Sequence, residues 1–142
     1  MKWIRHADEL PVTNDIYECS DHMALWYPKT RKFEMGFWWP IERVWCDGES
    51  MGPIRVNPSY WSVLGPFPNE PADIDDRNPW FNEEDFEPIN NERVLLWRKD
   101  LPEVIYMGYY ENDIWMDHYF SYPLPPHCKP TKWRNIRTPP EI

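Results

Sequence analysis

The sequence lacks any long apolar run. None of its stretches approaches the roughly 18 apolar residues expected of a membrane-spanning helix, and residues 1–6 lack the apolar core of a signal peptide. Cysteine is scarce as well: Cys19, Cys46 and Cys128 form no C-x-x-C pair and are odd in number, which is typical of thiols that stay reduced. We therefore expect a cytoplasmic protein without a membrane span.

Glycine is also rare, with five residues, whereas proline is abundant, with 17. Interior prolines remove backbone donors and interrupt helices, so we expect few or short helices. Aromatic residues make up 17% of the chain, and large rings bury much area per residue. This composition favours short strands that pack through aromatic side chains.

Motifs that carry catalytic chemistry are missing too. The sequence contains neither a G-x-S-x-G nucleophile motif nor a glycine-rich phosphate loop. His118, His127 and Cys128 are the closest set of potential metal ligands, but their spacing matches no zinc signature. We therefore predict a protein that is not an enzyme and that holds neither a metal nor a cofactor.

What the sequence does have is a concentrated negative charge. The formal net charge is −9, and residues 69–92 contain nine acidic residues against a single base, Arg77. A chain of this charge is not expected to bind nucleic-acid backbone or anionic membrane, because both repel it. The charge favours solubility or a basic partner.

The most informative feature is an internal repeat at a shift of 70 to 72 residues. Residues of several types recur in register: Trp26 with Trp97, Trp45 with Trp115, Met35-Gly36-Phe37 with Met107-Gly108-Tyr109, Trp61 with Trp133, and Pro68 with Pro140. The opening segments, residues 3–11 and 80–88, match at a shift of 77, and the extra residues fall in the acidic segment. We interpret the repeat as a tandem duplication.

Each copy has the same order of β-prone segments. These are a first strand (22–27 or 93–98), a second strand returning as a hairpin (33–39 or 104–110), a segment around Trp45 or Trp115, and a closing strand (60–64 or 132–136). We expect a mainly β chain built from two tandem small antiparallel β domains of three to four short strands each. Residues 1–68 and 93–142 are the predicted domains, and residues 69–92 form an acidic linker and the opening segment of the second copy.

The motifs resemble those of a small phage and prophage family, domain of unknown function 551. The resemblance depends on W-I-x-x-x-x-x-L-P and V-L-x-W, an aromatic strand around a glycine, and T-x-W-x-x-x-x-x-P-P. The matching positions are Trp3, Ile4, Leu10, Pro11, Val94, Leu95, Trp97, Gly108, Trp133, Pro139 and Pro140. The chain departs from the family at Phe81, where isoleucine is usual, and at residues 60–66, which replace H-W-x-P-L-P. The resemblance implies a phage-type accessory protein of unknown activity.

Functional residues are expected where the two copies differ. Acids of the linker and unmatched tryptophans are candidates for binding a partner: Asp73, Asp75, Asp76, Glu83, Glu84, Asp85, Trp80, Trp38 and Trp39. A basic cluster, Lys132, Arg134 and Arg137, with Tyr119 as a stacking ring, is a candidate phosphate site or an ordinary charged strand edge.

Three functions stay open at this point. The first is a non-enzymatic inhibitor that binds a host protein, such as a nucleic-acid-binding component of antiphage defence like a CRISPR effector, through the concentrated acid. The second is a protein that sequesters a nucleotide signal by stacking and phosphate binding. The third is a structural or assembly component of a virion.

Overall fold

The fold is described by a computed structural model, which covers residues 1–68, 79–119 and 121–139. The chain divides into two units, Lys2–Leu64 and Gly65–Arg137. Each contains one antiparallel five-stranded sheet, so the predicted mainly β chain with two small antiparallel domains is confirmed. The only helical segment among the described residues is a single 3-10 turn, Pro126–Cys128. In that part of the chain, no helix has the length and apolar character needed to cross a membrane.

The first unit contains strands β1 to β5. Their bounds are β1 Ile4–Arg5, β2 Met23–Tyr27, β3 Lys32–Trp39, β4 Val44–Asp47 and β5 Tyr60–Val63. In the sheet they lie in the order β1-β5-β2-β3-β4. The apolar run of β2 forms the central strand of the sheet. A central strand has neighbouring strands on both edges, so an apolar sequence suits its burial.

The second unit repeats this arrangement. Its strands are β6 Phe81–Asn82, β7 Val94–Arg98, β8 Leu101–Glu111, β9 Ile114–Asp117 and β10 Lys132–Asn135. Their order is β6-β10-β7-β8-β9, which is the order of the first sheet. Each sheet therefore has five strands where three to four were expected. The additional strand is the opening segment, whose two residues are too few to show an alternating pattern.

The residues that match in sequence occupy equivalent places in the two sheets. Ile4 and Leu25 flank Trp61 on the two neighbouring strands, as Phe81 and Leu96 flank Trp133. Gly36 pairs with Asp47, and Gly108 pairs with Asp117. Equivalent backbone hydrogen bonds, such as those from the amides of His6 and Glu83 to the carbonyls of Ser59 and Thr131, extend the correspondence into the loops. The evolutionary duplication itself stays a prediction.

Each sheet has a core of its own built on tryptophan. In the first unit the buried cluster consists of Met23, Leu25, Trp38, Trp45 and Trp61. In the second it consists of Val94, Leu96, Trp115 and Trp133. The indole N–H of Trp61 donates to the Glu9 carbonyl at 2.9 Å, and that of Trp133 donates to the Phe86 carbonyl at 2.9 Å. These bonds hold the segment after each opening strand against the core, where it forms one wall of a groove.

Candidate functional site

An apolar depression lies at the end of β3 in the first unit. Its volume is about 280 Å³, and it is lined by Cys19, Ser20, His22, Phe37, Trp39 and Met51. Trp39 is 37% exposed and Met51 is 59% exposed, whereas the floor is the buried ring of Phe37, on which His22 stacks at 5.4 Å. An exposed tryptophan beside a methionine is the kind of surface that anchors protein interfaces.

The neighbouring tryptophan, Trp38, lies on the opposite face of β3 because successive side chains of a strand alternate. It is 5% exposed and packs edge-on against Trp45, with ring centroids 5.3 Å apart. Of the two adjacent tryptophans predicted to contact a partner, only Trp39 is therefore at the surface.

Among the described residues, the side chains that line the apolar depression are not repeated in the second unit. The positions equivalent to Trp39 and Met51 hold Glu111 and Ser121. At the position of His22, Arg93 lies over the Tyr109 ring at 3.9 Å, and its Nε donates to Nδ1 of His118 at 3.0 Å. The scaffold is shared, but in the described part of the chain the side chains at these positions differ between the two units.

A second feature, a groove beside the opening strand, is present in both units. The first groove, about 560 Å³, is lined by His6, Ala7, Asp8, Glu9, Leu10, Trp38, Arg43 and Asn57. The second groove, about 410 Å³, is lined by Glu83, Glu84, Asp85, Phe86, Glu87, Tyr110, Trp115 and Lys129. Seven of the eight positions are equivalent in the two sets, and the exceptions are Arg43 and Trp115. One structural site therefore carries two different sets of side chains.

The second groove is acidic and internally bonded. Glu83 accepts a hydrogen bond from the indole N–H of Trp115 at 3.3 Å and forms an ion pair with Lys129 at 3.1 Å. Burial, followed by the charge of Glu87, raises the pKa of the Tyr110 hydroxyl. Glu83 is only 18% exposed and forms part of the groove wall, whereas the sequence suggested that it lies on a solvated linker.

The other acids predicted to contact a partner have varied positions. Glu84 and Asp85 are exposed at the rim of the second groove, where Asp85 accepts a hydrogen bond from the Asn82 amide at 3.0 Å. Asp73, Asp75 and Asp76 lie outside the described residues. Of the predicted contact acids that lie in the described residues, only Glu84 and Asp85 are exposed.

Trp80, another predicted contact residue, is half-buried within its own unit. Its indole N–H donates to the Pro66 carbonyl at 2.9 Å, and the Arg134 guanidinium lies over its ring at 5.7 Å. Since its polar atom is already bonded, Trp80 has a packing role in this structure.

The predicted phosphate-binding set is not assembled at the surface. Arg134 is 0% exposed, because it projects from β10 on the same buried side of the sheet as its cross-strand neighbour Leu95. Lys132 is half-buried, and Arg137 is exposed beyond the end of β10. Tyr119 follows β9, which is separated from β10 by β7 and β8. Because Arg134, the middle cation of the predicted set, is buried, the four residues do not form one surface cluster.

Metal ligands and thiols were also compared with the structure. Across residues 1–68, 79–119 and 121–139, no three His, Cys, Asp or Glu side chains are grouped so that they could hold a metal ion. Cys19, Cys46 and Cys128 are all free, and burial raises the pKa of the Cys46 thiol.

Comparisons with protein-family models, with curated proteins and with solved structures found no match. Three groove residues, His6, Arg43 and Asn57, were not singled out in the sequence. The repeat could have found two of them, because His6 aligns with Glu83 and Asn57 aligns with Lys129.

Proposed function

We propose that this chain is a non-enzymatic accessory protein of the phage type, active in the bacterial cytoplasm, that binds and inhibits a basic host protein. Nucleic-acid-processing components of antiphage defence, such as CRISPR effectors, are the partner class that this proposal names, because their substrate grooves are positively charged. The observation that carries the proposal is the apolar depression around Trp39.

The depression has the physical properties of an interface anchor. Binding energy in protein interfaces is concentrated in a few aromatic residues that fill or line pockets, and tryptophan is strongly enriched among them. Trp39 is held on a strand, so little conformational entropy is lost when a partner side chain contacts it. Met51 at the rim is exposed and can adapt to the partner's shape.

Charge complementarity indicates the chemistry of the partner. The net charge of −9 attracts a basic surface and speeds the encounter. The exposed carboxylates of Glu84 and Asp85 are groups that a partner's lysines or arginines can reach. In this proposal charge selects and steers the partner, and the Trp39 depression holds it.

The test is a comparison of affinity pull-downs from a bacterial lysate with wild-type protein, Trp39→Ala and a matched control. Leu101→Ala is a suitable control, since Leu101 is 47% exposed and lies outside the depression. We expect the wild type and Leu101→Ala to retain the same basic nucleic-acid-processing protein, and Trp39→Ala to lose it by about tenfold or more.

The captured protein must then be inhibited when the purified chain is added to its own activity assay. Capture that is equal for all three variants, capture of acidic proteins only, or capture without inhibition would each overturn the proposal. Circular dichroism of Trp39→Ala should match the wild type, which checks that the fold is retained, whereas its unfolding midpoint should fall because the ring is only 37% exposed.

A further inference from the structure

The first groove contains hydrogen-bond donors that the fold does not use. Among the described residues, none bonds to the Arg43 guanidinium, to the Asn57 amide or to Nε2 of His6. All three side chains line the same 560 Å³ space. Polar groups gathered in this way are the usual means by which a groove recognises an anionic group.

The protonation pattern of His6 follows from its partner. The indole N–H of Trp45 donates to Nδ1 of His6 at 3.1 Å, so Nδ1 carries no hydrogen. In a neutral imidazole the proton is then on Nε2, which is a donor. Trp45 is 0% exposed and anchored in the core, so it holds the imidazole at a fixed angle in the groove wall.

In the second groove, the equivalent position is occupied by an ion pair between two side chains of the chain itself. There the indole of Trp115 bonds to Glu83, and Glu83 is neutralised by Lys129. His6 stands at the position of Glu83, and Asn57 stands at the position of Lys129. The internal ion pair is thus replaced by two side chains that can donate hydrogen bonds. The first groove consequently has room and hydrogen bonds for an anion supplied from outside.

We propose that the first groove binds a carboxylate group, held by Nε2 of His6, the Asn57 amide and the Arg43 guanidinium. Asp8 and Glu9 also line the groove, and Asp8 is only partly neutralised by Arg5 at 3.9 Å. Their charge opposes a dianion more than a monoanion, which favours a carboxylate over a phosphate. Leu10 and Trp38 add an apolar wall, so the favoured ligand is a carboxylate with a short aliphatic chain.

The carboxylate site does not depend on the proposed function. Trp38 lines the groove and Trp39 lines the apolar depression, on opposite faces of β3. Loss of one site by substitution therefore need not affect the other. A free organic acid and a glutamate or chain terminus of a partner protein present the same chemistry, and their affinities can be compared in one assay.

The experiment is an NMR titration of the wild-type chain with sodium butyrate, observed at the tryptophan indole N–H signals. We expect a saturable shift of the Trp45 signal with a dissociation constant on the order of 1–10 mM, typical of a small fragment. The Trp115 signal, from the acidic second groove, serves as an internal control and should not shift. Inorganic phosphate and butylamine are the matched probes of charge.

Two variants test the assignment of residues. Arg43→Gln changes an exposed side chain and should weaken butyrate binding by about tenfold, because a charge-assisted hydrogen bond is lost. His6→Glu should abolish binding and still accept from Trp45, as Glu83 accepts from Trp115. Lys29→Gln, which removes an exposed charge of the same unit that does not line the groove, should leave binding unchanged.

Two kinds of result in the titration would overturn the inference. Tighter binding of phosphate than of butyrate would contradict the carboxylate assignment. Equal, unsaturable shifts at Trp45 and Trp115, or no shift at all, would show that the groove does not bind the group. A glutamate-containing peptide that binds more tightly than butyrate would indicate a protein-borne carboxylate, whereas equal or weaker binding would indicate a free acid.

Discussion

Gly36 and Gly108 occupy the same place in the two sheets, where the neighbouring strand approaches most closely. A Cβ atom at Gly36 would lie 2.5 Å from the carbonyl oxygen of Cys46, and one at Gly108 would lie 2.6 Å from that of Met116. These oxygens belong to the backbone of the adjacent strand, which cannot move without disturbing the ladder. Glycine is required here for space, and neither glycine has a positive φ.

Gly36→Ala should therefore lower the free energy of unfolding by about 2 kcal/mol, the scale of overpacking in a well-packed core. Gly52→Ala is the matched control, because its added methyl would meet only the Ser50 hydroxyl oxygen at 3.6 Å. Urea unfolding followed by tryptophan fluorescence measures both. Equal midpoints for the two variants would contradict the close approach.

Ionisation of the Tyr27 hydroxyl makes the stability of the fold depend on pH in the alkaline range. Burial, followed by the charges of Glu34 and Asp47, raises the pKa of Tyr27 to about 12, and its hydroxyl donates to the Val56 carbonyl at 3.1 Å. Since the pKa in the unfolded chain is lower, about 10, the folded state holds the proton more tightly. The contribution of the protonated Tyr27 hydroxyl to the free energy of unfolding is complete below about pH 10 and is lost as pH rises through about 12.

Tyr27→Phe should accordingly be less stable than the wild type near neutral pH, and this difference should shrink as pH rises toward about 11.5. The side chain is only half-buried, so solvent screening keeps the change small. Urea unfolding of both proteins at several pH values gives the difference. A gap that is constant or that widens with pH would be inconsistent with the raised pKa.

At the scale of the element, the sequence predicts some strands well and others poorly. The apolar runs of β2 and β7 are long enough to define central strands, and the recurring Trp61 and Trp133 locate β5 and β10. The turn before β8 was expected to include Leu101, but β8 already begins there. A register irregularity between Trp97 and Arg98 accommodates this earlier start.

The candidate sites were harder to predict, because they depend on contacts between distant residues. His6 and Trp45 are 39 positions apart, and neither has a local pattern that signals the bond between them. Alternation along β3 requires that Trp38 and Trp39 face opposite sides, but it does not say which one is buried. Cross-strand pairing of Trp38 with Trp45 decides that question, and this register is known only from the sheet.

At the scale of the whole molecule, the shared framework separates what is structural from what is particular to one unit. The tryptophans that recur in register form the two cores, and the groove beside each opening strand is also shared. In the described part of the chain, the residues of the Trp39 depression and the donors of the first groove belong to the first unit and are replaced by other side chains in the second. Function is therefore most sensibly sought in these unshared surfaces.

The net charge of −9 leads to a prediction about the kinetics of partner binding. Salt screens charges beyond a Debye length of about 8 Å at physiological ionic strength, so the association rate with the retained basic partner should fall as salt rises. Replacing Glu84 and Asp85 together by lysine should slow association and flatten its salt dependence. Trp39→Ala should instead speed dissociation and leave the salt dependence unchanged, because the ring acts after the encounter. Surface plasmon resonance over a range of salt concentrations measures both rates. Two results would refute the assignment of association to charge and of dissociation to the Trp39 ring. One is an association rate that does not change with salt concentration, and the other is a Trp39→Ala effect confined to the association rate.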